Sequence, residues 1–400
     1  VRPFGGRRIV LGITGGIASY KIGWLARLLS QAGAEVDVVM TRGATEFVAP
    51  VTFEALTGRP VHSDIFAAGR ALDHIRLAKE ADAVVVAPCT ADFLARAVHG
   101  RADDLLAAVL LATRAPVLLV PAMNDNMWSH AATVRNAAAA RELGYTVLDP
   151  DTGPLAEGDA TGPGRMPDPD TIFEHVGRLL EKRSLAGKKL LVTAGPTREP
   201  VDAVRFLSNH SSGKMGVAIA AAAWRRGAEV TLVAGPLEVA PPAGVRVLHV
   251  ERTEEMARAV GGELPRADAL IMAAAPADFR AAAPVDFKIK KKSAPDSVAL
   301  APTVDILAET RAKRKKGAVI VGFALETDDV AANAKAKLEA KGLDLIVVND
   351  AKEPGAGFAV DTNRVTLIGK DGRSEPLALM QKSELADILL DRVEALLGAR

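Results

Sequence analysis

The hydrophobic pattern of this chain says one thing twice. Ala81 to Phe93 reads ADAVVVAPCTADF, and Ala267 to Phe279 reads ADALIMAAAPADF. In each copy an Ala-Asp pair leads into an apolar run too short for a helix and rich in small or β-branched residues. The run then breaks into a loop carrying an acid, Asp92 or Asp278. Such runs predict buried parallel strands. A second echo lies upstream, QAGAEVDVVMT at 31–41 and RRGAEVTLVAG at 225–235, each reading as a helix end, a turn and a new strand. Gly33 and Gly227 stand where a helix closes on a left-handed residue. The expected fold is α/β: two doubly wound Rossmann-like domains with mostly parallel sheets, and ligands at the carboxyl ends of the strands.

Taken in order, the pattern gives a strand from Arg7 to Leu11, a loop GITGGIAS and a helix from Tyr20 to Ala32, then a helix from Thr45 to Thr57. After the first Ala-Asp strand, ADFLARAVHGRADDLLAAVLLA reads as mostly helical, and APVLLVPAMNDNMW as a strand and loop. The Gly/Pro-rich stretch GPLAEGDATGPGRMPDPDT is too irregular for a buried element and reads as a flap or arm. Ile172 to Lys182 closes the half with an amphipathic helix. The charged stretch EKRSLAGKK separates it from a new strand, placing domains at 1–182 and 187–400.

The second half opens with a strand and a long polar loop, TAGPTREPVDAVRFLSNHSSGKMG, before a helix beginning near Val217. In DFKIKKK the alternation of Lys288 and Lys290 with Phe287 and Ile289 predicts a strand with one charged face. A helix from Asp328 to Lys341 puts Lys337 and Lys341 on one face. The tail reads as a hairpin around Lys-Asp-Gly and a last helix capped by Ser383.

Composition adds limits. With 400 residues, 49% of them hydrophobic, each half can bury its own core. Fifty Lys and Arg against 49 Asp and Glu leave a net charge of +1, so nothing predicts a nucleic acid or an anionic membrane as partner. One cysteine, Cys89, fits a reducing cytoplasm and reads as a small core residue. The N-terminal segment VRPFGGRRIVLGITGG has no signal-peptide core, and no apolar run approaches a membrane span. The expected location is cytoplasmic.

Candidate chemistry follows the loops. Gly12, Gly15 and Gly16 do not make the G-x-G-x-x-G of a dinucleotide site, and the next strand ends at Thr41 and Arg42 with no acid for a ribose. That leaves a mononucleotide phosphate or a bare tight turn. Asn124 and Met127 lie beyond a strand end, where a loop either meets a ligand or holds its own turn. His74, alone in LDHIRLAKEAD, is structural or catalytic. Asn209, Ser211, Ser212, Gly213 and Lys214 converge before a helix, but Met215 replaces the Ser or Thr of a P-loop. Lys288, Lys290, Lys291 and Lys292 form either a solvated face or a polyphosphate site.

Five motifs occur in one order: LDHIRLAKEAD, the PCTAD loop, PAMNDNMW, GPGRMPDP and SNHSSGKMG. Together they resemble the bifunctional bacterial enzymes of coenzyme A synthesis that fuse phosphopantothenoylcysteine decarboxylase to phosphopantothenate-cysteine ligase. The resemblance implies a homo-oligomeric FMN flavoprotein in the first half and a dimeric CTP-dependent ligase in the second. By matching positions His74 is the active-site histidine and Asn124 binds the substrate carboxylate, while Gly15, Gly16, Thr41 and Thr90 line FMN. Lys288 falls on the triphosphate. Met272, Ala273, Ala274, Asp278, Asp305, Phe323, Lys337 and Lys341 surround the nucleotide, and Asn209 holds an acyl cytidylate. Magnesium is implied without named ligands. The substrates implied are phosphopantothenate, cysteine and CTP.

This chain departs from the pattern twice. Glu157 stands where the family commonly has a proton-donating cysteine: either Glu157 donates the proton itself, or the reaction stalls at the enethiol, or another group such as Cys89 serves. Asp92 stands where the family has Asn, placing a negative charge near the flavin. Two other readings compete: a flavin or nicotinamide oxidoreductase without ligase chemistry, and a non-enzymatic regulatory flavoprotein.

Overall fold

The computed structural model describes residues 3–66, 69–70, 72–154, 161–291, 297–326, 330–350 and 360–399. The chain divides into two compact units, Val1–Glu181 and Lys182–Arg400. In the first, five parallel strands lie in the order Glu35–Met40, Arg8–Ile13, Ala83–Cys89, Val117–Pro121 and Thr146–Val147. All seven side chains of Ala83–Cys89 are buried, as the continuous apolar run requires when helices cover both faces of a sheet. Each buried valine there contributes roughly 1.5–2 kcal/mol by leaving water.

The second unit carries eight strands in the order Arg246–His249, Glu229–Ala234, Lys189–Ala194, Ala269–Met272, Val319–Glu326, Leu345–Asp350, Val365–Gly369 and Ser374–Pro376. The first six are parallel, and the last two continue the sheet antiparallel. The tail hairpin therefore joins the sheet edge.

The repeated Ala-Asp pair has a physical cause. The backbone N–H of Arg8, the first residue of its strand, donates to Asp82 at 2.8 Å, and the N–H of Asp82 donates back to the Arg8 carbonyl at 2.8 Å. Asp268 does the same with Lys189, at 2.8 and 2.7 Å. Each acid thus locks the start of two adjacent parallel strands. The Gly-Ala echo is also structural. Gly33, at φ +94°, follows the Ser19–Gln31 helix, and Gly227, at φ +92°, follows Lys214–Arg225. In both, the residue after the glycine donates back into the last turn, Ala34 to Leu29 and Ala228 to Ala223. That bond needs the left-handed glycine between.

Several expected elements differ. Thr45 to Thr57 is broken into Arg42–Thr45 and Pro50–Thr57, because Pro50 has no N–H to continue a helix and starts a new one instead. The helix expected near Val217 begins at Lys214, entered from Gly213 at φ +80°. Gln381, with Glu384, caps the last helix rather than Ser383. Residues 286–291 form no strand. The backbone N–H of Ile289 donates to Asp202 at 3.1 Å and its carbonyl accepts from Arg205 at 2.8 Å, so side chains occupy the groups a partner strand would need. The Gly/Pro-rich stretch is an antiparallel hairpin of Asp151–Pro154 with Thr161–Arg165.

Candidate active sites

In a doubly wound sheet the strand order reverses at one place, and the loops leaving the two strands there part to open a crevice. In the first unit these strands are Arg8–Ile13 and Ala83–Cys89. A cavity of about 520 Å³ lies where their loops diverge, lined by Gly15, Gly16, Pro88, Thr90 and Asn124 among others. A Cβ on Gly15 would stand 2.8 Å from the Gly43 backbone, so the two loops pack main chain against main chain. A Cβ on Gly16 would meet only Thr90 and Pro88, at 3.7 and 3.9 Å. Ile17, Met123, Met127 and Met166 give the cavity a largely apolar wall. Its size and lining fit a flat aromatic group.

Asn124 caps the short Asp125–Ser129 helix, its side-chain oxygen accepting from the Asn126 N–H at 2.9 Å. That bond fixes which end of the amide is oxygen and makes its NH₂ the donor that can meet a carboxylate. The hairpin sits over Asn124: Met123 N–H donates to the Gly164 carbonyl at 3.0 Å. A Cβ on Gly164, at φ +137°, would lie 2.2 Å from the Met123 oxygen. Glycine is required by that approach.

Not every expected residue lines this cavity. Thr41 is buried and its hydroxyl caps Arg42–Thr45, accepting from Ala44 N–H at 3.3 Å. His74 lies at the start of the Asp73–Glu80 helix, outside the lining, with a buried Nδ1 that has no hydrogen-bond partner among the described residues. Its neighbour Asp73 is tied to the buried His62 at 3.1 Å. Asp92 is exposed, pairs with Arg96 at 3.1 Å and also lies outside the lining. Arg96 is shared with Asp103 and Asp104, at 3.0 and 2.7 Å. Cys89 is fully buried, and burial pushes its thiol pKa up, as a core residue requires. Glu157 lies outside the described residues.

In the second unit the order reverses between Lys189–Ala194 and Ala269–Met272. A cavity of about 630 Å³ opens there and gathers Asn209, Met272, Ala273, Ala274, Asp278, Asp305, Phe323, Lys337 and Lys341. Nine positions spread over 130 residues meet in one place. The Asn209 NH₂ donates to the carbonyls of Ala275 and Pro276, at 3.2 and 2.9 Å, which turns its oxygen away from them. Asp305 caps Ile306–Glu309 and pairs with Lys341 at 3.3 Å. The 12-residue Lys214–Arg225 helix starts at this cavity without a side-chain cap, so its first amides and its dipole favour an anion there.

Sequence reading missed Lys382, Asn349 and Asn363 in this lining. Lys382 is buried, donates to the Val360 carbonyl, and its pKa is lowered first by burial and then by Lys214. Lys214 pairs with Asp361 at 2.7 Å. No local signal marks Lys382, which enters from the far end of the chain beside the antiparallel extension. Lys288 is exposed and does not line the cavity.

Residues 2–181 match the Flavoprotein family, and residues 185–397 match the DNA/pantothenate metabolism flavoprotein C-terminal domain. The coenzyme A biosynthesis bifunctional protein CoaBC of Mycobacterium tuberculosis (strain ATCC 25618 / H37Rv) is 46% identical over 408 residues, covering 98% of this chain and 97% of that protein. The chain belongs to the CoaBC family. The CoaBC of Vibrio vulnificus (strain YJ016) is 42% identical over 402 residues and covers 100% of both chains. Among solved structures, the C-terminal domain of a CoaBC is 39% identical, covers 55% of this chain and 100% of that one, and has a TM-score of 0.47. As a CoaBC-family flavoprotein, the chain is a bifunctional enzyme of coenzyme A biosynthesis with ligase and decarboxylase activities.

Proposed function

We propose that the second unit ligates cysteine to 4'-phosphopantothenate with CTP, and that the first unit decarboxylates the product, 4'-phosphopantothenoylcysteine, to 4'-phosphopantetheine with FMN. The observation that carries this division is the contrast between the two linings. Lysines and an uncapped helix start surround one cavity, while methionines and a glycine loop surround the other.

A carboxylate does not form an amide unaided. In the ligase step the phosphopantothenate carboxylate attacks the α-phosphorus of CTP, pyrophosphate leaves, and an acyl cytidylate forms. The cysteine amine then attacks its carbonyl and releases CMP. Lys214, Lys337, Lys341 and Lys382, with the helix amides, stabilise the leaving polyphosphate. The oxygen of Asn209 faces the acyl cytidylate, and Met272, Ala273, Ala274, Asp278, Asp305 and Phe323 shape the nucleotide site. Lys288 reaches the triphosphate from its exposed segment. Among the described residues no three His, Cys, Asp or Glu groups come together to hold a metal ion. Magnesium therefore rides on phosphate oxygens of the nucleotide.

In the first unit Gly15, Gly16 and Thr90 would hold FMN, with Thr41 capping the adjoining Arg42–Thr45 turn, and the bound flavin would supply reversible two-electron oxidation of the substrate thiol. Asn124 holds the substrate carboxylate by its amide NH₂, the apolar wall keeps water from the leaving carbon dioxide, and His74 handles the proton. Glu157 supplies the proton for the final reduction. Ile17, Tyr20 and Trp24, exposed at the cavity end of the first helix, support homo-oligomerisation. No helix among the described residues is long and apolar enough to cross a membrane, and we place the enzyme in the cytoplasm.

The test is to incubate the protein with phosphopantothenate, cysteine, CTP and magnesium, following pyrophosphate and product mass. Phosphopantetheine is expected. Pyrophosphate with accumulation of the oxidised enethiol contradicts the role of Glu157, and accumulation of phosphopantothenoylcysteine itself contradicts the decarboxylase assignment. No pyrophosphate contradicts the ligase assignment.

A further inference from the structure

The first-unit cavity has two cations in its described lining, Lys21 and Arg165, and no acid. They come from different elements, Lys21 from the first helix and Arg165 from the end of the hairpin. Both reach one atom. Asp168 Oδ1 lies 2.9 Å from an Arg165 Nη and 3.9 Å from Lys21 Nζ. Asp168 does not itself line the cavity, and its side chain is 59% exposed. It occupies the N-cap position of the 12-residue Pro169–Leu180 helix but makes no side-chain cap bond.

We infer that Lys21 and Arg165 form a seat for a phosphate monoester in this cavity, with Asp168 Oδ1 standing where an anionic oxygen fits. Two cations face one carboxylate, which leaves the cluster one negative charge short before the helix start is counted. A phosphate monoester carries about −1.5 to −2 at neutral pH and offers three acceptor oxygens, enough to meet both cations together. An arginine in this setting can take two oxygens at once, while the lysine acts as a point charge. The wall facing Arg165 is built for its width: a Cβ on Gly153 would lie 3.3 Å from the Arg165 Cδ and Nη1. The backbone of the hairpin thus makes room for the guanidinium beside the cavity.

The inference rests on reading this cavity as the decarboxylase site. Two molecules expected there end in a phosphate monoester, the flavin mononucleotide and the phosphopantothenoyl substrate. Each has a counterpart lacking only that group, riboflavin and pantothenoylcysteine. In the full-length protein, Lys21→Met and Arg165→Met should each lower the preference for the phosphorylated over the dephosphorylated ligand by roughly tenfold, the order for a lost charge-assisted bond. Lys21→Arg should keep most of it. A rise in the FMN-to-riboflavin ratio of dissociation constants for the apoprotein assigns the seat to the cofactor. A fall in the ratio of kcat/KM for the two cysteine substrates assigns it to the substrate, and both support the inference. Unchanged ratios in both, in protein of unaltered fold, overturn it. Wild-type decarboxylation by an Asn124→Asp chain overturns the reading of the cavity instead.

Discussion

The two cavities occupy the same place in two sheets and are lined by opposite chemistry. Each opens where strand order reverses, because loops leaving adjacent strands part there whatever their sequence. In the first unit the loops bring Gly16, Pro88 and methionines. In the second they bring Asn209, Lys214 and an uncapped helix start, and the sheet is extended so that Lys337, Lys341 and Lys382 close on the same space. A flat, largely apolar ligand suits one and a polyphosphate the other. Position comes from the fold and selectivity from what the loops and the extension add.

The contrast can be broken one side at a time. Asn124→Asp should have the largest effect. Aspartate caps the Asp125–Ser129 helix as well as asparagine does, so stability should hold, while the carboxylate repels the substrate's. Decarboxylation of supplied phosphopantothenoylcysteine should fall roughly 10²-fold or more, with pyrophosphate release unchanged.

Acid should weaken the first unit next. Burial, then Arg178, lowers the His175 pKa to about 4 from an ordinary 6.5. Between those values the unfolded chain binds the extra proton, so stability present above about pH 6.5 is lost as pH falls towards about 4, up to about 3 kcal/mol from this group. Urea unfolding of the first unit across that range, against a His175→Leu variant with a flatter profile, measures it.

Lys382→Met acts on the other side, raising the KM for CTP roughly tenfold while decarboxylation is untouched. The smallest effect should be ionic strength: added salt should raise the KM for CTP a few-fold, more than that for phosphopantothenoylcysteine, because a triphosphate carries more charge to be screened than a phosphate monoester and meets four lysines in that lining. Equal salt sensitivity would erase the electrostatic half of the comparison.

Much of this was legible in the chain. The Ala-Asp repeats marked the strands beside each reversal because Asp82 and Asp268 must sit where they can bind the first amide of the neighbouring strand. Gly33 and Gly227 marked helix ends because a left-handed residue is needed there. PAMN and SNHSSGKMG were readable as loops beyond strands. Lys382 was not, since it reads as part of a helix start and reaches the cavity only through the packing of the tail. The lysine run misled: its alternation is that of a strand, but Asp202 and Arg205 take the Ile289 backbone. Burial of the Asp202 side chain among those donors is a tertiary fact, and Arg205 first, then local backbone amides, hold its pKa well below the carboxylate range.

The most direct test of two independent sites is an Asn209→Ala chain given phosphopantothenoylcysteine without CTP. It should form phosphopantetheine at the wild-type rate while releasing little pyrophosphate when phosphopantothenate, cysteine and CTP are supplied instead. If the same substitution abolishes decarboxylation in folded protein, the division of chemistry between the two cavities is wrong.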